Sequence, residues 1–153
     1  MLRKHYYFAY GSNMNQQRMS VRGLSFSDPV KGVMPGYRLA FNKKAWDHPS
    51  RSYANIVYDP ASSVEGVLYR LEDEHQIIKM DPFEGAPRLY SREIFHVETH
   101  LGAIPSWVYI ANKATIFEGL KPDRWYLDHL LEGREFLSEE YFSKLTKVQT
   151  NPA

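Results

Sequence analysis

Two short stretches carry side chains with chemistry in them: Tyr10-Gly11-Ser12-Asn13 near the start, and Glu84 near the middle. Glu84 lies between Phe83 and Gly85, in a segment stiffened by Pro82 and Pro87. A carboxylate held beside an aromatic ring in a turn loses water, and desolvation raises its pKa toward neutrality. That is where a general acid/base works best. The plainer alternative is a carboxylate on a solvated face. Asp81 lies close enough in sequence to be its partner, or is only a helix-end residue. A glycosidase-type pair needs a fixed separation that nothing in the sequence supplies.

The first stretch offers donors rather than a proton carrier. Tyr6 to Tyr10 is almost wholly aromatic and has strong β propensity. It breaks at Gly11, which can take φ > 0 and lets backbone approach a ligand. Asn13 or Asn15 can cap a short helix over Met14–Arg22. A strand running through a glycine turn into a helix start gathers backbone N–H groups, a main-chain site for an anion or oxyanion. The same residues also fit an ordinary strand–turn–helix connection. Ser12 reads as a turn or ligand-binding residue, because no G-x-S-x-G elbow surrounds it. The six histidines have no metal-ligand spacing, and no HExxH or Gly-rich nucleotide fingerprint occurs.

The elements that must position these residues follow in order. Short strands are expected at Val30–Val33, Tyr37–Phe41, Tyr53–Tyr58 and Val64–Leu71, with an irregular loop at Lys43–Arg51. Gly66 marks a bulge or a close approach. A helix is expected over Glu72–Met80, with Ile77, Ile78 and His75 turned inward, broken by Asp81-Pro82. Tyr90–Thr99 and Ile104–Ile110 read as a hairpin turning at Gly102. Pro122 opens a helix with an apolar stripe of Trp125, Leu127, Leu130 and Leu131, ending near Gly133. Ser138 caps a last helix through Val148. Strands fill the middle and helices the end, so the fold class is α+β rather than alternating βαβ.

With 153 residues and no linker-like stretch, residues 1–153 read as one domain. The chain has 19 basic and 18 acidic side chains, a net charge of +1, which argues against duplex DNA or an anionic membrane as partner. Exposed aromatics could bind single-stranded nucleic acid, but there is no basic stripe to support them. The absence of cysteine excludes thiol catalysis and suits a reducing cytoplasm. No apolar leader or membrane-length run is read. The 11 tyrosines suit a pocket wall, apolar in body and polar at the tip.

Phe8-Ala9-Tyr10-Gly11-Ser12-Asn13, then Glu84-Gly85, then Tyr109 to Asn112 and the tail with Tyr126, Gly133 and Tyr141 resemble the γ-glutamylcyclotransferase family, also called AIG2-like or BtrG-like. The resemblance runs from Tyr7 to about Leu145, and Ser12-Asn13 favours the cyclotransferase branch over the γ-glutamylamine branch. It implies a small mixed β-barrel flanked by helices, with a pocket at one end. By resemblance Glu84 is the acid/base. Tyr7, Phe8, Ala9, Tyr10, Gly11, Ser12 and Asn13 bind substrate, and Tyr90, Tyr109 and Tyr126 line the pocket. The implied reaction is a transferase- or lyase-type cyclisation that releases 5-oxoproline from a small γ-glutamyl substrate. It needs no metal or cofactor. A homodimer is left open, and a binding module of the same fold without turnover is the alternative function.

Overall fold

The computed structural model describes residues 5–153; the first four, where no leader is read, lie outside them. Five strands close into a barrel in the order β1-β3-β2-β4-β5. They are β1 (His5–Ala9), β2 (Phe26–Lys44), β3 (Ser52–Leu71), β4 (Tyr90–Thr99) and β5 (Gly102–Ala111). All neighbours are antiparallel except β1 and β5, which meet in parallel at Tyr7 and Trp107 and make the barrel mixed. Among the described residues four α-helices flank it: α1 (Gln16–Val21), α2 (His75–Glu84), α3 (Arg124–Leu131) and α4 (Glu139–Thr146). None among the described residues is long and apolar enough to cross a membrane.

The strands expected as four short pieces form one long ribbon, β2 against β3. The prolines that suggested breaks sit at its irregularities. Register shifts fall between Ser27 and Val30, around Pro29, and between Pro35 and Tyr37, opposite the stretch containing Pro60. A proline lacks the N–H a regular ladder needs, and a bulge leaves that donor unneeded. A third shift, between Ala40 and Lys43, places one extra residue on β2. Asn42 and Lys43 are consequently both buried, although they are adjacent.

Helix α2 also differs from expectation. Asp81-Pro82 does not break it; Pro82 lies inside the last turn, and the helix ends at Gly85, left-handed at φ 63°. The missing proline bond is outweighed by tertiary anchors. Gln76, Ile77 and Met80 are buried, and Asp81 accepts from Arg92 Nε at 2.8 Å and from the Tyr109 hydroxyl at 2.7 Å. Ile77 is buried as expected, but His75 and Ile78, expected inside, are exposed, and Gln76 and Met80 complete the buried face instead. The β4–β5 hairpin agrees with the sequence expectation at both ends of β4, and Gly102 takes φ 104° at its turn.

Asn15 caps α1 by accepting from Gln17 N–H at 3.0 Å, and Ser138 caps α4 by accepting from Tyr141 N–H. Ser138 is itself held by Glu65 of β3, donating through its amide at 2.7 Å and its hydroxyl at 2.8 Å. Ahead of α3, Asp123 joins Arg51 at 2.6 Å and Asn151 Nδ2 at 2.8 Å. That clasp draws the C-terminal tail and the start of α3 onto the β2–β3 end of the barrel.

The barrel closes tightly around Phe8, which is fully buried. Gly32 and Gly66 face each other across β2 and β3. A Cβ on either would come within about 3.0 Å of the Phe8 ring, and one on Gly66 would also strike the Ala9 carbonyl. Gly66 therefore marks a close approach. Side chains alternate along a strand, so Phe8 fills this centre while Tyr7 turns the other way, toward Tyr69 and Tyr109. We expect Gly66→Ala to destabilise the fold by ~1–3 kcal/mol through overpacking. Urea unfolding measures this, and an unchanged midpoint would mean the backbone relaxes freely there.

Candidate active site

Strand β1 leads into a tight 3-10 turn, Ser12–Met14, whose residues are all buried. Its first helical bond runs from Met14 N–H to the Gly11 carbonyl at 3.0 Å, so the Ser12 and Asn13 amides precede the helical bonding. The Tyr69 hydroxyl holds the turn from β3 by donating to the Asn13 carbonyl at 2.7 Å. Gly11 has φ −111°, so it does not use the left-handed freedom expected of it. It serves by lacking a Cβ, which would lie 3.2 Å from the Tyr126 hydroxyl and 3.3 Å from Ala54 Cβ.

Glu84 ends α2 and faces this turn. Asn13, 71 positions away, donates from Nδ2 toward Glu84 Oε1 at 3.3 Å and toward the Tyr7 hydroxyl at 3.0 Å. Arg22 Nη1 donates to Asn13 Oδ1 at 3.1 Å and stands 3.8 Å from Glu84 Oε1. The Glu84 side chain is only 17% exposed. Burial pushes its pKa up, and Arg22, Arg18, Lys43 and the Asn13 amide pull it partly back. Phe83, expected to shield it, is about half exposed and lies under the Arg22 guanidinium instead. Asp81 points away, to Arg92 and Tyr109, so no carboxylate pair forms.

These groups line a cavity of about 240 Å³. The structure brings Glu84, Tyr7, Tyr10, Gly11, Ser12, Asn13, Tyr90, Tyr109 and Tyr126 together around it. Phe8 and Ala9 lie behind this wall, against Gly66 in the barrel. Burial keeps the phenols of Tyr7, Tyr10, Tyr90, Tyr109 and Tyr126 above the ordinary value, so all are protonated at neutral pH. Their hydroxyl protons are not equally free. Tyr10 donates to the Tyr109 carbonyl, Tyr90 to the Ala54 carbonyl and Tyr109 to Asp81. Tyr7 and Tyr126 instead accept, from Asn13 Nδ2 and Ala54 N–H, which leaves each a proton to offer a ligand.

Sequence reasoning missed the cations. Arg18, Arg22 and Lys43 all line the cavity, with Asp47 and the aromatic rim of Trp46, Tyr53 and Trp125. Arg18 and Arg22 stand four apart at the turn's own helix, the spacing of one helical face, and that was the available signal. Lys43 had none, since its direction depends on the bulge. Burial depresses its pKa, with Glu84 and Asp47 opposing. Behind the wall, Arg18 Nε donates to Ser12 Oγ at 3.1 Å, and His129 lies against Arg18 and Asn15. Burial and the two arginines keep His129 below its ordinary value. Among the described residues no three His, Asp or Glu gather at metal-binding distance.

A family model described as gamma-glutamyl cyclotransferase, AIG2-like, matches residues 7–128. The chain belongs to that family. The match takes in the turn, Glu84 and all the cavity tyrosines. This family member is 37% identical over 91 residues to YkqA of Bacillus subtilis, which is provisionally named a gamma-glutamylcyclotransferase. The aligned part is 58% of this chain and 28% of YkqA, so the match spans a little over a quarter of that relative. The crystal structure of YkqA superposes with a TM-score of 0.84 at 25% identity, over 98% of this chain and 57% of that one. A structure called gamma-glutamyl cyclotransferase superposes equally well, TM-score 0.84, over 99% of this chain and 91% of that one. At 23% identity that second likeness speaks for the fold.

The Tyr109 hydroxyl, which looked from sequence like a ligand contact, is committed to Asp81. We therefore expect Tyr109→Phe to lower stability by ~1–3 kcal/mol, the range for a buried bond to a charged group. The substrate KM should change less than about threefold, far below the roughly 10⁴–10⁵-fold discrimination of a site built to hydrogen-bond its substrate. Chemical denaturation and steady-state kinetics on one preparation separate the two. A raised KM with unchanged stability would return Tyr109 to the binding wall.

Proposed function

We propose that this chain is a γ-glutamyl cyclotransferase, releasing 5-oxoproline from a γ-glutamyl compound with Glu84 as general acid/base. One observation carries the reading. A carboxylate with a raised pKa is held by the Asn13 side chain beside a turn of main-chain donors, in an open-mouthed cavity rich in phenols and cations. Family membership supports it.

The substrate contains its own nucleophile. Its α-amino nitrogen attacks the γ-carbonyl carbon; a C–N bond forms in the five-membered ring, and the C–N bond to the leaving amine breaks. Holding one folded conformer supplies much of the rate, because effective molarities reach ~10⁵ M or more in well-oriented cases. The α-nitrogen sheds two protons, one as the ammonium becomes the attacking amine and one as the ring amide forms, and the departing nitrogen gains two to leave as an ammonium. Glu84 takes one from the α-nitrogen and returns it to the departing nitrogen as its C–N bond breaks; the other is exchanged through solvent. A raised pKa makes the carboxylate a better base, and the opposing cations keep it ionised often enough to act. The amides of Ser12 and Asn13 and the free protons of Tyr7 and Tyr126 are the donors for a substrate carboxylate or the developing oxyanion.

Two experiments test this. Glu84→Gln preserves shape and cannot take the proton, so turnover should fall ~10²–10⁴-fold. The same variant has a stability signature. Folding raises the Glu84 pKa, so above the ordinary value of 4.5 the folded state holds more protons than the unfolded state. Wild-type stability relative to Glu84→Gln should then decline as pH rises from 4.5 through the raised native pKa. Turnover within a few-fold of wild type would remove Glu84 from the chemistry.

The second experiment uses γ-glutamyl amino acids acetylated on the α-nitrogen. Amide resonance removes the nucleophilic lone pair, and these compounds should release no 5-oxoproline. Brisk release of N-acetylglutamate would instead identify a hydrolase in which Glu84 activates water.

A further inference from the structure

The cavity contains one cation that no described residue pairs. Lys43 is 2% exposed, yet among the described residues its ammonium has neither a hydrogen bond nor an ion pair. Arg18 is tied to Ser12, and Arg22 to Asn13 and Glu84. The Lys43 ammonium lies only over the faces of Tyr53 and Tyr90, at 5.4 and 5.6 Å from the ring centres. Ring faces attract a cation but replace only part of its lost hydration. The ammonium is open only toward the cavity, and enclosing it there without a partner costs solvation that a methionine of similar length would not need. The bulge between Ala40 and Lys43 directs this side chain inward.

We propose that Lys43 is a specificity residue that receives the carboxylate of the leaving amino acid, so that γ-glutamyl amino acids are preferred over γ-glutamyl amines. The inference rests on the cyclotransferase reading and sharpens it. A γ-glutamyl amino acid has two carboxylates and one ammonium. The cavity offers Arg18, Arg22 and Lys43 against Glu84 and Asp47, an excess of positive charge that suits a net-negative ligand. Arg18 and Arg22 flank the turn, where the glutamyl end is gripped. Lys43 comes from a different strand and is free to read the other end. A leaving amine without a carboxylate would bury the ammonium still further and leave it unpaired. Sites that present a polar group for pairing reject ligands lacking the partner strongly.

The test compares γ-glutamyl-alanine with γ-glutamyl-ethylamine, which is the same leaving group without its carboxylate. Wild type should favour the first by about 10²-fold or more in kcat/KM. Lys43→Met should collapse that ratio to within a few-fold, chiefly through KM for γ-glutamyl-alanine. Lys43→Arg, which keeps the charge, should retain most of the preference. Thermal melting of Lys43→Met should show a Tm at or above wild type, confirming a folded variant. An unchanged ratio, or equal loss on both substrates, would overturn the proposal. If neither compound yields 5-oxoproline, the cyclotransferase reading itself fails. Calorimetric binding of the two compounds to wild type and Lys43→Met then decides the subsite. A preference for γ-glutamyl-alanine that depends on Lys43 supports it, and equal binding overturns it.

Discussion

The side chain of Asn13 is the point on which the site depends. It is 2% exposed and uses both ends: Nδ2 reaches Tyr7 and Glu84, and Oδ1 accepts from Arg22. An amide offers two protons and one acceptor oxygen, so its orientation is fixed by what surrounds it. Arg22 admits only the oxygen, which leaves the two protons to be shared among Tyr7, the carboxylate and Met80 Sδ at 3.3 Å. One residue thus sets the position of the catalytic candidate relative to the donor turn, across two elements that are far apart in sequence. The Tyr69 hydroxyl fixes its backbone, so the knot is attached to the barrel as well as to α1 and α2.

Around that knot the surroundings of Glu84 act in opposite directions. Burial raises its pKa, while three nearby cations and the Asn13 amide lower it. The cations are graded in their commitments. Arg22 touches Asn13 and approaches Glu84, Arg18 braces Ser12, and Lys43 acts on the carboxylate from a distance.

The sequence revealed those parts of the site that local chemistry determines. Tyr10 to Asn13 announced a strand breaking into a donor turn, Ser138 announced a cap, and Glu84 stood out among the acids. It misled wherever tertiary packing outweighed local preference. Asp81-Pro82 reads as a helix end, but Arg92 and Tyr109 anchor Asp81 and carry α2 one more turn. Glu84 therefore sits at a helix end rather than in a loop. Pro29, Pro35 and Pro60 read as strand breaks and turn out to mark bulges within longer strands. Lys43 reads as the start of an irregular loop through Arg51, marked by Trp46, Asp47, His48 and Pro49, whereas the structure keeps it in β2. Only the extra residue on β2, which has no sequence signature here, explains its burial.

The connection between Lys44 and Ser52 is a piece of the cavity rim that belongs neither to the barrel strands nor to a helix. It places Trp46 and Asp47 beside the opening, and Trp46 is 83% exposed. Its anchors, the Ala45 amide on the Arg51 carbonyl and Arg51 on Asp123, lie at its ends rather than along it. Exchanges in its middle therefore disturb little of the folded core. The molecule is divided into a packed interior that tolerates little change and a rim that can be redrawn. An engineer can reshape the opening while Glu84 and the residues that hold it stay untouched.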